Sequence, residues 1–188
     1  MEITREKVIP LLLEACPSFQ EKWDEYVNSY LYDKEGFGYT DATQFAIHIK
    51  ELLNKGRTEE FKKVFAVIEQ LHLNGDNYVK ELATIGYLED IQNYNNPEKF
   101  IPYLGPESLK WWNHLNDFWS GEAPQVGVSW EELAKERLVN DGIPNPSQKN
   151  IEDKASELKK SAQKYSKYLL SESNKRLQSL LKSLKKKF

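Results

Sequence analysis

The chain reads as all-α, and three observations lead there. Apolar residues recur at steps of three and four along almost all of the 188 residues, while no segment has the clean alternation of a half-buried strand. The interruptions fall at proline, glycine and asparagine. The densest stretch, Ala83 to Trp119, joins ATIGYLEDIQN to LGPESLKWWNHLNDFW across a short NNPEKF break, aromatic at helical spacing and nearly devoid of catalytic side chains. The predicted architecture is a multi-helix bundle, or an array of helical hairpins, followed by a long C-terminal amphipathic helix.

Each element follows from local signals. The first helix is expected from Thr4, as cap, to Ala15, with Pro10 a point of bending. Pro17 restarts the chain, and Phe19, Trp23, Tyr26, Val27 and Tyr30 put an aromatic stripe on a second helix that stops near Asp33. After YDKEGFGY, Asp41 is expected to cap a third helix that runs to Lys55 and stops at Gly56. Thr58, Glu60 and Phe61 begin a fourth, which ends at Asn74-Gly75, and Asp76 caps a fifth running to Tyr94. Gly105-Pro106-Glu107 opens a sixth with proline in its first turn, and Ser120-Gly121 closes it. Ser129 with Glu131 and Glu132 opens a seventh.

Asp141-Gly142 followed by IPNPS is the clearest linker. It divides the sequence into an acidic helical body (1–142), a linker (143–148) and a basic amphipathic helical tail (149–188), whose apolar stripe runs from Ile151 and Ala155 through Leu158, Ala162 and Tyr165 to Leu184 and Phe188. The net charge of −3 hides this division. Residues 1–147 hold 14 Lys and Arg against 25 Asp and Glu, or −11, and residues 148–188 hold 12 against 4, or +8. An acidic body and a basic tail either fold onto each other or reach for oppositely charged partners.

Composition bounds the rest. With 12% aromatic and 29% charged residues the chain has too much large apolar surface for disorder and too many charges for a membrane protein. No apolar run approaches the roughly 18 residues of a spanning helix, and acidic residues flank the very short apolar core of the N-terminal segment, so a cytoplasmic location is expected. The single cysteine, Cys16, is expected to be a helix-end residue and neither a disulfide partner nor, without a Cys/His cluster, part of a zinc site. No cofactor is expected.

Two polar residues fall on apolar helix faces. On a 100° wheel His72 lies amid Phe61, Phe65 and Ile68, and Glu89 amid Tyr78, Leu82 and Ile85. Both are expected to be buried structural groups with hydrogen-bond partners: His72 lies near Tyr78 across the hairpin at Gly75, and Glu89 meets ring N–H donors among Trp111, Trp112 and His114. A His72–Glu89 catalytic pair is excluded, because the two stand roughly 16 Å apart along that hairpin. Glu69 and His72 form one Glu-x-x-His, the spacing of a di-iron ligand pair, but no second copy stands before His48 or His114. Phosphate-cradle, nucleophile-elbow and zinc-helix signatures are absent.

Two surfaces invite a partner. Trp111, Trp112, Leu115, Phe118 and Trp119 cover about half of the sixth helix, which is either sandwiched in the bundle or left as an exposed aromatic patch. The connection after the second helix sets Tyr32, Phe37 and Tyr39 beside Asp33, Glu35 and Asp41, a combination suited to a basic protein, or else tucks its aromatics into the core. Lys182, Lys185, Lys186 and Lys187 at the end of the tail read as favourable helix-terminal charges, and nucleic acid is not an expected partner. The stripe of the tail must dock on the body, pair with another copy or engage a partner.

DATQFAIHIKELL, EEFKKVFAVIEQLHLNGD, ATIGYLEDIQN and LGPESLKWWNHLNDFW together resemble an uncharacterised bacterial family of all-helical domains, whose members share an L/IGxLExIQN helix followed by LGPxSxxxWxxLxxFW. The resemblance spans about Tyr39 to Trp119 and implies neither a known activity nor catalytic residues. Small acidic helical proteins of this kind are similar to immunity proteins of bacterial toxin systems. The expected function is non-enzymatic protein binding, in its sharpest form neutralisation of a toxin by occlusion. The alternatives are a scaffold that self-associates through the C-terminal helix, and an enzyme or metal protein using Glu69, His72 or Glu89.

Overall fold

The computed structural model describes residues 2–29, 31–32, 38–164 and 167. Among them the fold is all-α; the extended pairings are two isolated bridges, Ile3 with Gly75 and Gln125 with Val128. The chain forms two compact units, Met1–Asn113 and His114–Phe188. The 143–148 linker of the sequence reading therefore lies within the second unit.

In the first unit α1 (Arg5–Ala15) leads through a 3-10 turn (Pro17–Phe19) into α2 (Gln20–Val27), followed by α3 (Tyr39–Asn54) and α4 (Phe61–Asn74). Thr4 stands at the cap position of α1, but its hydroxyl makes no capping bond to the backbone. Ile3 is held instead by the far end of α4: its N–H donates to the Asn74 carbonyl at 2.8 Å, and its carbonyl accepts from the Asp76 N–H at 3.0 Å. α3 begins two residues before Asp41, because Gly38 at φ 70° takes the cap position and leaves Asp41 in the first turn, where a carboxylate favours the helix dipole. It ends at Gly56 as predicted.

The segment after Gly75 departs most from expectation. Asp76 does cap α5 (Asn77–Glu81), accepting from the Val79 N–H at 2.8 Å. The helix then widens to π geometry over Leu82–Leu88 before a final α-turn, α6 (Glu89–Gln92). A residue in a π turn advances less about the axis than the 100° of an α-helix, so the inward face drifts along the sequence. Val79, Leu82 and Ala83 point inward before and at the start of the widening; Tyr87 and Leu88 do so at its end and Ile91 beyond it. Ile85 and Glu89, which a regular wheel places in the core, are only half-buried.

The core of this unit is aromatic. Phe19 meets Phe45 edge-on at 5.0 Å between ring centres, Phe45 meets Tyr87 at 5.9 Å, and Phe61 stacks on Phe100 at 5.8 Å. Phe100 comes from a 3-10 segment (Pro97–Tyr103) that precedes α7 (Pro106–Ser120). All five rings are fully buried. Full burial of each stabilises the fold by roughly 1.5–3 kcal/mol.

The division between units falls inside α7. In the second unit α8 (Trp130–Asn140) starts with the capping box that Ser129 and Glu132 announce in the sequence. It closes at Gly142, where the Gly142 and Ile143 amides bond back to the Val139 and Leu138 carbonyls. Residues 148–164 are helical. Ile151, Ala155 and Leu158 pack with Trp130, Leu133 and Ala134, so the first part of the tail's apolar stripe is covered by α8. The stripe from Tyr165 onward, its terminal lysines, and the loop residues Asp33, Glu35 and Phe37 lie outside the described residues. No helix among the described residues is long and apolar enough to cross a membrane.

Gly86 sits where the π segment meets α3: a Cβ there would lie 3.1 Å from the Cβ of Ala42 and 2.8 Å from a Leu82 methyl. Gly86→Val is therefore expected to destabilise the protein by about 1–3 kcal/mol through overpacking, read as a lowered midpoint in urea unfolding followed by circular dichroism.

Candidate functional site

Three polar assemblies occur in the first unit. The first lies beside the connection singled out in the sequence. Trp23 from α2, Tyr32, Asp41 from α3, Tyr87 from the π segment and Arg5 and Glu6 from α1 line a pocket of about 490 Å³ whose apolar wall includes Val8, Ile9, Leu13 and Leu82. Trp23, Tyr26 and Tyr32 form a mutual ring cluster with centres 5.4–5.9 Å apart. The fully buried Tyr87 has no hydrogen-bond partner for its hydroxyl, and burial pushes that phenol's pKa up. Tyr39 turns elsewhere, donating to Glu81 Oε1 at 2.8 Å and packing edge-on against Tyr78. Of the predicted contact residues, then, the fold brings Tyr32 and Asp41 to one pocket and sends Tyr39 to α5.

The second assembly explains the LGPES phrase. An α-helix leaves its first N–H groups without intrahelical partners, and the N-terminus of α7 meets the Glu69 carboxylate projecting from α4. Glu69 Oε1 accepts from the Glu107 N–H at 2.9 Å; Oε2 accepts from the Ser108 N–H at 2.8 Å and from its hydroxyl at 2.7 Å. Gly105 is required by that approach, since a Cβ would stand 2.4 Å from the Glu69 carboxyl carbon. Burial works to raise the Glu69 pKa, but these donors and nearby His72 outweigh it and hold the carboxyl below its ordinary range.

His72 is buried as predicted, 4% exposed, with partners that the sequence did not identify. Its Nδ1 lies 2.9 Å from the Ile68 carbonyl and 3.3 Å from Ser108 Oγ, and its Nε2 lies 3.2 Å from Thr84 Oγ1. The ring faces Trp111 with the two planes 12° apart. Glu-x-x-His here supplies a helix cap and a core bridge to α7. Glu89 sits at the other end of the drifted helix face, its pKa raised by burial and then by Asp90. The bond from that turn to α7 is made instead by Gln92, whose side-chain amide donates to the Trp112 carbonyl at 2.8 Å.

The aromatic face of α7 is graded. Trp112 and Leu115 are buried, Trp111 and Phe118 half-buried, and Trp119 is 60% exposed. It is neither fully sandwiched nor fully bare.

The third assembly has no precursor in the sequence reading. Cys16 at the end of α1, Ser18 in the 3-10 turn, His48 on α3 and Glu60 just before α4 converge. Glu60 Oε2 accepts from the Cys16 thiol at 3.1 Å and from the Ser18 hydroxyl, and Glu60 Oε1 accepts from the Ser18 N–H at 3.2 Å. Ser18 Oγ lies 2.9 Å from His48 Nε2, while His48 Nδ1 is buried without a partner. Burial pushes the Cys16 thiol up to about 12, with Ser18 opposing and Glu60 reinforcing, so it is a protonated donor at neutral pH. Burial, with Lys22, lowers the His48 pKa against Glu51 and Glu60. The sequence reading saw no Cys/His cluster because these residues come from three separate places in the chain. The available hint was His48 itself, four residues before Leu52 and three after Phe45, on the apolar face of α3.

Two outcomes test the α7 junction. Glu69→Ala and Gly105→Ala are each expected to cost about 2–3 kcal/mol, from orphaned N–H groups and from steric displacement of the cap, and the double variant little more than either alone, because both remove one contact. Urea unfolding gives the comparison. For His72, burial lowers the folded pKa below the roughly 6.5 of an exposed imidazole, against the Ile68 carbonyl and the charges of Glu69 and Glu107. The unfolded chain therefore binds more protons in that window. The stabilising effect of neutral His72 is complete above about pH 6.5 and is lost as pH falls toward the folded value. His72→Gln is expected to flatten the stability profile as pH falls below about 6.5, read from urea midpoints across that range.

No curated protein and no solved structure matches the chain. A family model described as a domain of unknown function, DUF7674, matches residues 9–120. That span exceeds the Tyr39–Trp119 resemblance, taking in most of α1, all of α2 and the whole of α7, and so it contains all three assemblies apart from the Arg5, Glu6 and Val8 edge of the pocket. The chain belongs to this DUF7674 family.

Proposed function

We propose that this chain is a non-enzymatic protein-binding domain, and in its sharpest form a neutraliser that occludes the working surface of a cognate bacterial toxin. The observation that carries the reading is the meeting of Tyr32 and Asp41 with Trp23 in one open pocket. Aromatic walls with two carboxylates, Glu6 and Asp41, against the single cation of Arg5 suit a lysine or arginine side chain: the rings attract the cation, and the apolar floor takes its alkyl stem. The acidic balance of residues 1–147 favours such a partner by speeding encounter over long range. Rings that lose little rotamer freedom on binding are common anchors of interfaces.

A self-associating scaffold is the weaker reading. The first apolar residues of the tail, Ile151, Ala155 and Leu158, are already covered by α8 within the same chain and are not available to a second copy.

The direct test is co-purification of this protein with the product of the adjacent gene, followed by titration calorimetry. Tyr32→Ala and Asp41→Lys are each expected to weaken association roughly tenfold or more, well beyond the modest fall in urea midpoint that losing a ring contact or a first-turn carboxylate brings. For toxin neutralisation, co-expression should rescue growth with the wild-type protein and fail with Asp41→Lys. No association at micromolar concentration would overturn the toxin version.

A further inference from the structure

We propose that Cys16, His48 and Glu60 form a binding site for a zinc ion. The ligand atoms of these three residues lie within 4.8 Å of one another. Zinc bonds of about 2.0–2.3 Å place the tetrahedral neighbours of such a set some 3.3–3.6 Å apart, so the widest pair needs to contract by up to about 1.5 Å. Small side-chain rotations supply that.

The chemistry of the donor set is specific. One thiolate, one imidazole and one carboxylate select zinc over calcium or magnesium, which prefer all-oxygen sites. Two anionic ligands balance the charge of the dication, which suits a site where Cys16 is fully buried and His48 only 5% exposed. Three protein ligands leave the fourth position for a water molecule or for Ser18 Oγ.

Ser18 now occupies the middle of the cluster. Its hydroxyl contacts Glu60, lies 2.9 Å from His48 Nε2 and stands 3.6 Å from Cys16 Sγ. A change of its rotamer opens the space between the three ligand atoms. On binding, the Cys16 thiol gives up its proton to solvent, and the proton on His48 Nε2 moves to Nδ1, which breaks no hydrogen bond by accepting it because it has no partner. One proton is released per ion. Entry runs past Ser18, which lines a shallow surface pocket together with Glu21, Asp24 and Glu25, three carboxylates able to concentrate cations at the mouth. Lys22, the nearest opposing charge, is paired with Glu51 at 2.6 Å.

The test uses the full chain, stripped with a chelator and titrated with Co²⁺ as a spectroscopic stand-in at about pH 7.5, followed by Zn²⁺ competition. The expected result is saturation at one ion per chain, with a thiolate-to-cobalt charge-transfer band that Zn²⁺ abolishes. Cys16→Ser should lose that band, and His48→Gln should weaken binding at least about tenfold. Ser18→Ala, which keeps all three ligands, should still bind. If His48→Gln fails to fold, the deciding measurement is a Zn²⁺-dependent rise in the melting temperature of wild type that is absent in Cys16→Ser. A wild-type titration without the band, or Zn²⁺ affinity and stabilisation unchanged by Cys16→Ser, would overturn the proposal.

Discussion

The Glu69 carboxylate at the amino end of α7 is the contact around which the first unit is organised. A helix end inside a protein has to find acceptors for its first N–H groups, and α7 finds them on a different helix. This one requirement accounts for four separate residues. Gly105 is there because no Cβ fits against the carboxyl carbon; Pro106 has no N–H to satisfy; Ser108 adds a hydroxyl donor; and His72, one turn on from Glu69, closes the contact by reaching Ser108 on one side and Thr84 on the other. Glu60 does comparable work at the opposite end of α4, where it accepts from the backbone and the hydroxyl of Ser18. Glu69 on α4 and Glu60 at its N-cap position thus stitch other elements to it, and the Glu60 carboxylate makes no capping bond to α4 itself.

The π segment is the second organising feature. It passes between α3 and α4, presenting Tyr87 to Phe45 on one side and Thr84 to His72 on the other. A regular helix could not direct Val79 and Leu82 near its start and Leu88 and Ile91 near its end into the same core, because its apolar face would have wound away. Widening by i→i+5 bonds corrects the drift. It also brings Tyr87 to the aromatic pocket.

Much of this architecture is legible in the sequence. Helix ends marked by local chemistry, such as Asp76, Gly56, Ser129 with Glu132, and Gly142, are readable because a cap is decided by the few residues next to it. The burial of His72 follows from its apolar neighbours at helical spacing. Glu89 shows where such reasoning stops: its place on a wheel depends on the helix staying α, and nothing local marks the change of pitch. Asp41 misleads in a smaller way, since a carboxylate suits the first turn as well as the cap. The Cys16–Ser18–His48–Glu60 cluster was invisible because its members are set by packing between α1, α3 and α4. The pocket was half legible, as Tyr32 and Asp41 flank one connection, whereas Trp23, Tyr87 and Arg5 are gathered by the fold.

The junction at Glu69 also orders events in time. Its donors lie 38 and 39 residues downstream. At about 5–20 residues per second, a ribosome delivers them roughly 2–8 s after the carboxylate itself. During that interval α4 can dock on α1 and present a fixed acceptor, so that α7 begins its first turn against a template already in place.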